Sequence, residues 1–265
     1  MTTIDLNADL GESFGAWTMG HDEALLACVS SANLACGAHA GDPSVMAHSV
    51  AAAIRAGVAI GAHPGYPDLI GFGRRSLAMT ADEVYATVLY QLGALQAFVR
   101  AAGGRLVHVK PHGALYNDAA LDPTLAEAIA RATRAADHGL RLVGLPGSAL
   151  EMAAAAAGLD FWGEFFTDRA YGDAGRLLPR TQPGALLHDR SQVIARTLRA
   201  VTSGKVETAG GAIIKLSFRT ICLHGDNPAA VELAQALRAS LEAGGVTVTA
   251  GSATASGLAA FGPSA

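Results

Sequence analysis

The stretch RLVHVKPHGALYN, residues 105–117, decides the fold because it joins a predicted strand to a group of polar side chains. Its first half is a short β-type run, and Pro111 ends that run because proline has no N–H to donate to a sheet. The polar side chains gather at the end of the run: Lys110, His112, Tyr116 and Asn117. The same order, a β-type run and then polar residues, occurs at other places along the chain and predicts where its chemistry lies.

Working outward, six further β-type runs alternate with helical patterns. The runs cover residues 3–9, 31–36, 57–63, 140–145, 160–166 and 220–224. The helical patterns cover residues 43–56, 80–104, 122–138, 147–157, 189–203 and 228–243. Strand–helix alternation implies right-handed crossovers and a mainly parallel sheet. Seven such units favour a closed, TIM-like (β/α) barrel over an open sheet.

Two segments depart from this alternation. Residues 205–218, KVETAGGAIIKLSF, place two glycines between β-prone arms, which predicts a β-hairpin inserted before the last barrel strand. Residues 245–250, GVTVTA, predict a short eighth strand. Because no linker, low-complexity tract or internal repeat interrupts the pattern, we expect a single domain over residues 1–265.

Composition limits the classes of protein to which the chain can belong. It is 51% hydrophobic and 16% charged, with a net charge of −4 and no long basic run, which argues against a nucleic-acid partner. Its N-terminus is acidic where a signal peptide is basic, and its apolar runs are shorter than the roughly 20 residues of a membrane span. Three cysteines without a CxxC pair fit buried thiols in a reducing compartment. We therefore expect a soluble, cytoplasmic protein.

The polar residues concentrate where the predicted strands end. Besides those after residue 110, they are Asp5, Asn7, Asp9 and Glu12; Asn33, His39 and Asp42; His63, Arg74 and Arg75; Asp168 and Arg169; and His224 and Asp226. In a parallel barrel all the carboxyl ends of the strands open on one face, where loops can change without disturbing the core. The sequence therefore predicts one shared cleft for all of these side chains.

Asp5, Asn7 and Asp9 alternate, so the pleat points them to one side of their strand. Burying unpaired polar groups against the helix layer costs roughly 1–3 kcal/mol each, so the barrel mouth is the expected location. The alternative is a hydrogen-bonded polar layer that only orders the loops.

Three histidines, His39, His63 and His112, each follow a predicted strand. Neutral imidazole serves as a metal ligand or a general base near pH 7. We assign catalytic roles to Asp9, Lys110 and these three histidines, and Asp9, His39 and His63 are the candidate metal ligands. The chain has no HExxH motif or other tight ligand spacing, so a bound divalent metal stays an open alternative.

The cationic residues Lys110, Arg74, Arg75 and Arg169 are suited to hold anionic substrate groups, since guanidinium binds carboxylate or phosphate through two parallel hydrogen bonds. The alternative is ion pairing with Asp68 or Asp168. No phosphate loop, dinucleotide fingerprint or GxSxG elbow is present in the sequence, which argues against those nucleotide-binding and hydrolase classes.

Six long motifs, taken together, resemble the LamB/YcsF family. They are DLNADLGE, ANLACGAHAGDP, GAHPGYPDLIGFGRR, VKPHGALYN, EFFTDRAY and CLHGDNP, and they run in order from Asp5 to Pro228. The resemblance implies a (β/α) barrel, described as seven-stranded and similar to deacetylase-type barrels. It also implies that the polar residues named above, as they fall within the motifs, belong to the family's site.

The activity implied by the resemblance is opening of the lactam of 5-oxo-L-proline to L-glutamate, with ATP as co-substrate and with partner subunits B and C. A lactam is a stable amide, so attack by water needs a base, oxyanion stabilisation and protonation of the leaving nitrogen. We expect Asp9 or one of His39, His63 and His112 to activate water, and Lys110 with a second histidine to stabilise the oxyanion. Arg74 or Arg75 would bind the substrate carboxylate. Where ATP binds, on this chain or on a partner, stays open.

Two other functions remain compatible with the sequence. One is a metal-dependent deacetylase or amidohydrolase that acts alone, and it would need a bound metal but no ATP. The other is a non-catalytic subunit that binds a lactam or a carbohydrate and presents it to partners. In that case loss of the pocket histidines would leave the reaction rate unchanged.

Overall fold

The structure is a computed structural model that describes residues 2–223 and 229–251. Seven parallel strands form its centre: β1 (Thr3–Leu10), β2 (Ser31–Ala35), β3 (Ala59–His63), β4 (Leu106–Val109), β5 (Arg141–Gly144), β6 (Phe161–Phe166) and β9 (Thr220–Leu223). Each strand pairs with the next in this order, and β9 pairs back with β1. The sheet is thus a closed barrel, and the prediction of a seven-stranded TIM-like fold is confirmed.

The two segments that break the alternation also form strands. β7 (Lys205–Glu207) and β8 (Ile213–Lys215) make an antiparallel hairpin ahead of β9, as the two central glycines predict. β10 (Thr247–Val248) pairs in parallel with Thr3 and Ile4 at the start of β1. The hairpin and the additional strand therefore leave the seven-membered ring intact.

Helices surround the ring. They are α1 (Asp22–Leu26), α2 (Pro43–Ala56), α3 (Ala81–Ala101), α4 (Gly113–Leu121), α5 (Pro123–Ala136), α6 (Ala149–Ala156), α7 (Arg190–Ser203) and α8 (Ala229–Ala243). The start of α3 carries the expected capping box, in which the Thr80 hydroxyl accepts from the backbone N–H of Glu83 and Glu83 accepts from that of Thr80. No helix among residues 2–223 and 229–251 combines the length and apolar character needed to cross a membrane.

The helix α4 was not predicted. It begins directly after His112, where Gly113 has φ +57°, a value that glycine adopts freely. Its first turn is buried, and it lacks a clear apolar stripe, so periodicity gave no signal. The consequence for the site is that Tyr116 and Asn117 lie on a short helix and not on a loop.

Candidate active site

The alternating polar residues of β1 face the inside of the barrel. Parallel pairing sets Asp9 beside Asn33 of β2 and Asn7 beside Cys222 of β9. The intervening residues Leu6 and Ala8 are fully buried and point outward into the layer between strands and helices. Strand alternation alone thus delivers a polar interior.

Lys110, at the end of β4, is the centre of this interior and is only 2% exposed. Its Nζ lies 2.9 Å from Asp9 Oδ1 and 2.8 Å from Glu164 Oε1, and it also donates to Asn7 Oδ1 at 3.3 Å. Burial opposes the charge, but the carboxylates of Asp9 and Glu164 raise the pKa of Lys110 well above its usual value. The ammonium group lies between two carboxylates that favour its charged form.

Glu164 and Cys222 complete these contacts and were not predicted as site residues. Glu164 stands alone as a charged residue in the apolar β6, and that isolation is the signal that could have identified it. Cys222 gave no such signal. Its Sγ lies 3.1 Å from Lys110 Nζ, and burial raises the pKa of the thiol well above its usual value, so it stays protonated.

Deeper in the barrel the polar groups hold the strands together. Asp5 accepts hydrogen bonds from the hydroxyls of Ser30 (2.6 Å), Ser31 (2.7 Å) and Thr220 (2.6 Å). Asn33 donates to Asn7 Oδ1 at 2.7 Å and to Asp9 Oδ1 at 2.8 Å. None of Asp5, Asn7 and Asn33 lines the cavity described below. Their positions match the alternative raised in the sequence analysis, a hydrogen-bonded polar layer.

A second group of side chains, which we call the histidine cluster, consists of Glu12, His39, His63 and His112. The rings of His39 and His112 stack with centroids 3.7 Å apart. Glu12 Oε1 lies 3.3 Å from His39 Nε2 and 3.3 Å from His112 Nδ1. His63 Nε2 lies 3.0 Å from His112 Nδ1 and 3.4 Å from Asp9 Oδ2, which joins the cluster to Lys110.

Backbone carbonyls fix the orientation of two of these rings. His63 Nδ1 donates to the carbonyl of Lys110 at 2.7 Å, and His112 Nε2 donates to the carbonyl of Phe72 at 2.8 Å. Among the residues that the structure describes, Phe72 is the non-glycine residue with positive φ, at 54°. Such strain costs of order 1–3 kcal/mol and persists where the surroundings enforce it, often at functional sites.

Burial favours the neutral forms of three members of the histidine cluster, His39, His112 and Glu12. Burial, together with the neighbouring imidazoles, lowers the pKa of His39 and His112 well below the usual value for histidine. Burial likewise raises the pKa of Glu12. Neutral imidazoles are competent as ligands or bases.

The grouping of potential ligands differs from the one expected. Ligand atoms of Glu12, His63 and His112 all lie within 4.8 Å of one another. His39 was the expected ligand, but its Nε2 faces Glu12 and its ring meets that of His63 edge to face. The predicted ligand set was Asp9, His39 and His63. In the structure Glu12 and His112 replace His39 in this set, and Asp9 lies beside His63.

A cavity of about 790 Å³ opens above Lys110. Eight of the predicted site residues line it: Asp9, His63, Arg74, Lys110, His112, Tyr116, Asn117 and Arg169. The connection between β6 and α7 contributes Arg176 and Arg180 to the wall, and Phe166 and Leu145 add apolar surface. The cavity thus combines acidic, imidazole and cationic groups from distant parts of the chain, as the barrel prediction requires.

Besides Asp5, Asn7, Asn33 and Glu12, three further predicted substrate-binding residues lie outside the cavity wall. Arg75 makes a bidentate ion pair with Asp68, so its guanidinium is engaged and does not line the cavity. Asp42 caps α2 by accepting from the backbone N–H groups of Ser44 and Val45. Asp168 is half-buried and outside the cavity wall. Their positions do not support direct substrate contact, and His224 and Asp226 lie outside the described residues.

Known proteins are similar to this chain in sequence and in fold. The family model for the LamB/YcsF family matches residues 4–256. A protein of Methylococcus capsulatus, named as the A subunit of 5-oxoprolinase, is 55% identical over 94% of this chain and 95% of its own length.

Two solved structures extend the comparison. The crystal structure of a lactam utilization protein from Thermus thermophilus superposes with a TM-score of 0.90 at 50% identity, covering 94% of this chain and all of the other. The catalytic domain of a peptidoglycan N-acetylglucosamine deacetylase from Eubacterium rectale shares the fold alone, with a TM-score of 0.51 at 14% identity, covering 97% of this chain and 91% of that domain. From the full-length match and the shared barrel we conclude that the chain belongs to the LamB/YcsF family.

Proposed function

We propose that this chain is the A subunit of an ATP-dependent 5-oxoprolinase, a hydrolase that opens the lactam of 5-oxo-L-proline to L-glutamate. The observation that carries the proposal is the meeting of Asp9, His63 and Lys110 at one cavity, in a chain 55% identical to a protein that bears the name of this A subunit. Distant strand ends contribute these three groups, and they match the needs of amide hydrolysis.

The cavity suits a small anionic substrate. Its volume of about 790 Å³ falls in the range of small-molecule sites, which span roughly 300–1,000 Å³. Arg74 and Arg169 line it and supply guanidinium groups for a substrate carboxylate, while Tyr116 and Phe166 offer surface to an apolar ring. The remaining volume and the additional arginines of the wall are compatible with a phosphorylated intermediate.

The proposed reaction uses the charged groups of the barrel interior, Asp9 and Lys110, one after the other. Phosphorylation of the lactam oxygen by ATP makes the ring carbon more electrophilic. Asp9, 14% exposed toward the cavity, accepts the proton of the attacking water. The Lys110 ammonium faces the oxygen on which negative charge develops, and its charge is secured by the high pKa described above. The ring nitrogen leaves after it receives a proton, which converts the former lactam carbon into an acyl phosphate. A second water then cleaves this acyl phosphate, so the products are L-glutamate and inorganic phosphate beside the ADP left from the first step.

Partners, ATP site and location follow as parts of the same proposal. The word "subunit" in the relative's name supports a multisubunit enzyme, and we propose subunits B and C as the partners and the cytoplasm as the compartment. We propose that ATP binds on this chain, in contact with the arginines of the cavity wall. Titration of ATP against the isolated chain tests this, because saturable binding requires a site on this chain.

The test of the function is 5-oxoproline-dependent release of ADP by the chain reconstituted with subunits B and C. Asp9→Ala, His63→Ala and Lys110→Ala should each reduce the rate about a hundredfold to a thousandfold, the scale seen when a catalytic electrostatic group is removed. His138→Asn, at an exposed histidine outside the cavity, is the matched control and should leave the rate unchanged. Near-normal turnover by all three alanine variants would refute the mechanism, and turnover without ATP would indicate a stand-alone amidohydrolase.

A further inference from the structure

Two imidazole nitrogens in the histidine cluster face each other in a way that neutral rings alone do not explain. A carbonyl oxygen only accepts, so His63 must carry its proton on Nδ1, toward Lys110 O, and His112 must carry its proton on Nε2, toward Phe72 O. The nitrogens left over, His63 Nε2 and His112 Nδ1, are then both lone-pair acceptors. They lie 3.0 Å apart, a contact between two acceptors that either a shared proton or a bound cation would relieve.

Two carboxylates point at the same pair of nitrogens. Glu12 Oε1 is 3.3 Å from His112 Nδ1, and Asp9 Oδ2 is 3.4 Å from His63 Nε2. The nearby cation Lys110 does not resolve this, because its Nζ contacts the other oxygen of Asp9 at 2.9 Å and Glu164 at 2.8 Å. A single proton can serve two of these four acceptor atoms, whereas a divalent cation can serve all four.

The separations between neighbouring ligand atoms agree with ligation of one metal ion. Metal–nitrogen and metal–oxygen bonds of roughly 2.0–2.2 Å place neighbouring ligand atoms roughly 3.0–3.4 Å apart in octahedral or tetrahedral geometry. The three contacts along the chain Glu12–His112–His63–Asp9 measure 3.3, 3.0 and 3.4 Å. The burial of both histidine rings keeps these atoms in place before any ion binds.

We propose that this chain binds one divalent transition-metal ion through His63 Nε2, His112 Nδ1, Glu12 and Asp9 Oδ2. Two imidazoles with two carboxylates form a nitrogen and oxygen donor set that suits Zn²⁺, Mn²⁺, Fe²⁺ or Co²⁺. Asp9, His63 and His112 also line the cavity, so the ion would keep a coordination position open toward a bound molecule. This inference goes beyond the proposed function and does not depend on the identity of the substrate.

The surroundings of the four ligands match those of known metal sites. Metal-binding histidines commonly donate their second N–H to a backbone carbonyl or carboxylate, which fixes the ring and raises its basicity. His63 and His112 both do so. His39 Nε2 contacts Glu12 at 3.3 Å, so a neutral His39 with the proton on Nε2 holds that carboxylate toward the site without being a ligand.

The test is metal binding by the untagged full-length chain without partners. After chelator treatment and dialysis, Zn²⁺ is titrated by calorimetry, and Co²⁺ is added as a spectroscopic probe whose visible absorption reports nitrogen and oxygen ligation. We expect one equivalent of each ion and a higher unfolding temperature in its presence. His63→Asn and His112→Asn should weaken Zn²⁺ binding more than about a hundredfold, since loss of even an outer partner costs roughly 10–100-fold.

Two further variants control for effects on the fold in the metal-binding experiment. His138→Asn, exposed and outside the histidine cluster, should bind Zn²⁺ as the wild type does. Glu12→Gln serves if a histidine variant does not fold by circular dichroism, and it should also weaken binding. Absence of stoichiometric binding by folded wild-type chain, or unchanged affinity in the folded variants, would overturn the proposal and leave a shared proton as the explanation. Lactam hydrolysis is measured separately, in the assembled complex, so failure of the metal proposal can be told apart from failure of the proposed function.

Discussion

At the scale of single residues, the buried ammonium of Lys110 makes the sharpest prediction. Lys110→Met leaves the carboxylates of Asp9 and Glu164 without their cation, so the free energy of unfolding should fall by about 3–5 kcal/mol in urea denaturation at neutral pH. The double variant Lys110→Met/Glu164→Gln should cost less than the sum of the two single changes, because they share one interaction.

A surface ion pair supplies the control for this experiment. Arg190 and Glu232 lie 3.2 Å apart, but both side chains are more than half exposed, at 56% and 72%. Arg190→Met should therefore reduce the free energy of unfolding by less than about 1 kcal/mol. If Lys110→Met and Arg190→Met reduced the free energy of unfolding equally, the ion pairs of Lys110 with Asp9 and Glu164 would not stabilise the fold as predicted.

A second prediction at this scale concerns pH. Burial, with the charges of Lys110 and Arg141, lowers the pKa of His108 to about 3, from an unfolded value of 6.5. Between these values the unfolded chain carries a proton that the folded chain does not. His108 therefore stabilises the fold fully above about pH 6.5, and this contribution falls by up to about 1.4 kcal/mol per pH unit below it.

The measurement is urea denaturation of the wild type and of His108→Gln from pH 5 to pH 7.5. Glutamine keeps an N–H donor for Asn33 Oδ1, which His108 Nε2 contacts at 2.6 Å, but it does not titrate. The wild type should lose stability more steeply on acidification. The raised pKa values of Asp5 and Glu12 act in the opposite direction, but they are common to both proteins and cancel. Parallel pH profiles would contradict the assignment.

At the scale of elements, substitution of Asp42 tests whether this residue caps helix α2 or binds substrate. Its Oδ1 accepts from Ser44 N at 2.8 Å and Val45 N at 3.2 Å, and its Oδ2 accepts from Gly15 N at 2.7 Å. Asp42→Ala should reduce the free energy of unfolding by about 1 kcal/mol, and Asp42→Asn by less, since asparagine is also a good cap. Turnover of the complex should stay near normal in both, and loss of activity at unchanged stability would restore a binding role.

Most elements were predictable from the sequence because their signals are local. The helix over residues 43–56 was predicted with the bounds of α2, where Pro43 opens the helix and Gly57 ends it at φ +68°. The strands were predicted to within about two residues because apolar β-branched runs end at Gly or Pro. Two elements, α1 and α4, were missed because each is short and lacks amphipathic periodicity.

At the scale of the whole molecule, the cavity has two sources. The charged residues at the base of the cavity, which we call its floor, are Asp9, His63 and Lys110 at the ends of strands. Much of the cavity wall comes from residues 167–189, between β6 and α7. Arg196 of α7 anchors the start of this connection by donating to the carbonyls of Phe166, Thr167 and Arg169. The connection can therefore change without displacing the floor.

Replacing residues 174–180 with a Gly/Ser segment of equal length tests this division. Substrate binding should weaken at least about tenfold, equivalent to about 1.4 kcal/mol, because the segment contributes Arg176 and Arg180 to the wall. The unfolding temperature should fall by only a few degrees, since no barrel strand is altered. Collapse of the fold, measured by circular dichroism, would show that the connection is part of the barrel's stability.

The site was predictable only in part, because side-chain direction depends on the assembled barrel. Topology placed Asp9, His63 and Lys110 at one mouth, and the structure brings them together. For Arg75 the sequence left substrate binding and ion pairing with Asp68 or Asp168 both open, and the structure shows the ion pair with Asp68. Topology could not pair Glu164 with Lys110, since that contact depends on strands at different positions around the ring.

Closure of the ring has a consequence for biosynthesis. The hydroxyl of Thr220, on the last barrel strand, donates to Asp5 and accepts from Asn7 on the first, each at 2.6 Å. A nascent chain that has not yet released β9 from the ribosome leaves β1 and β6 with open edges, which are templates for aggregation. At roughly 5–20 residues per second this interval lasts on the order of ten seconds or more, so we expect newly made chains to need ribosome-associated chaperones.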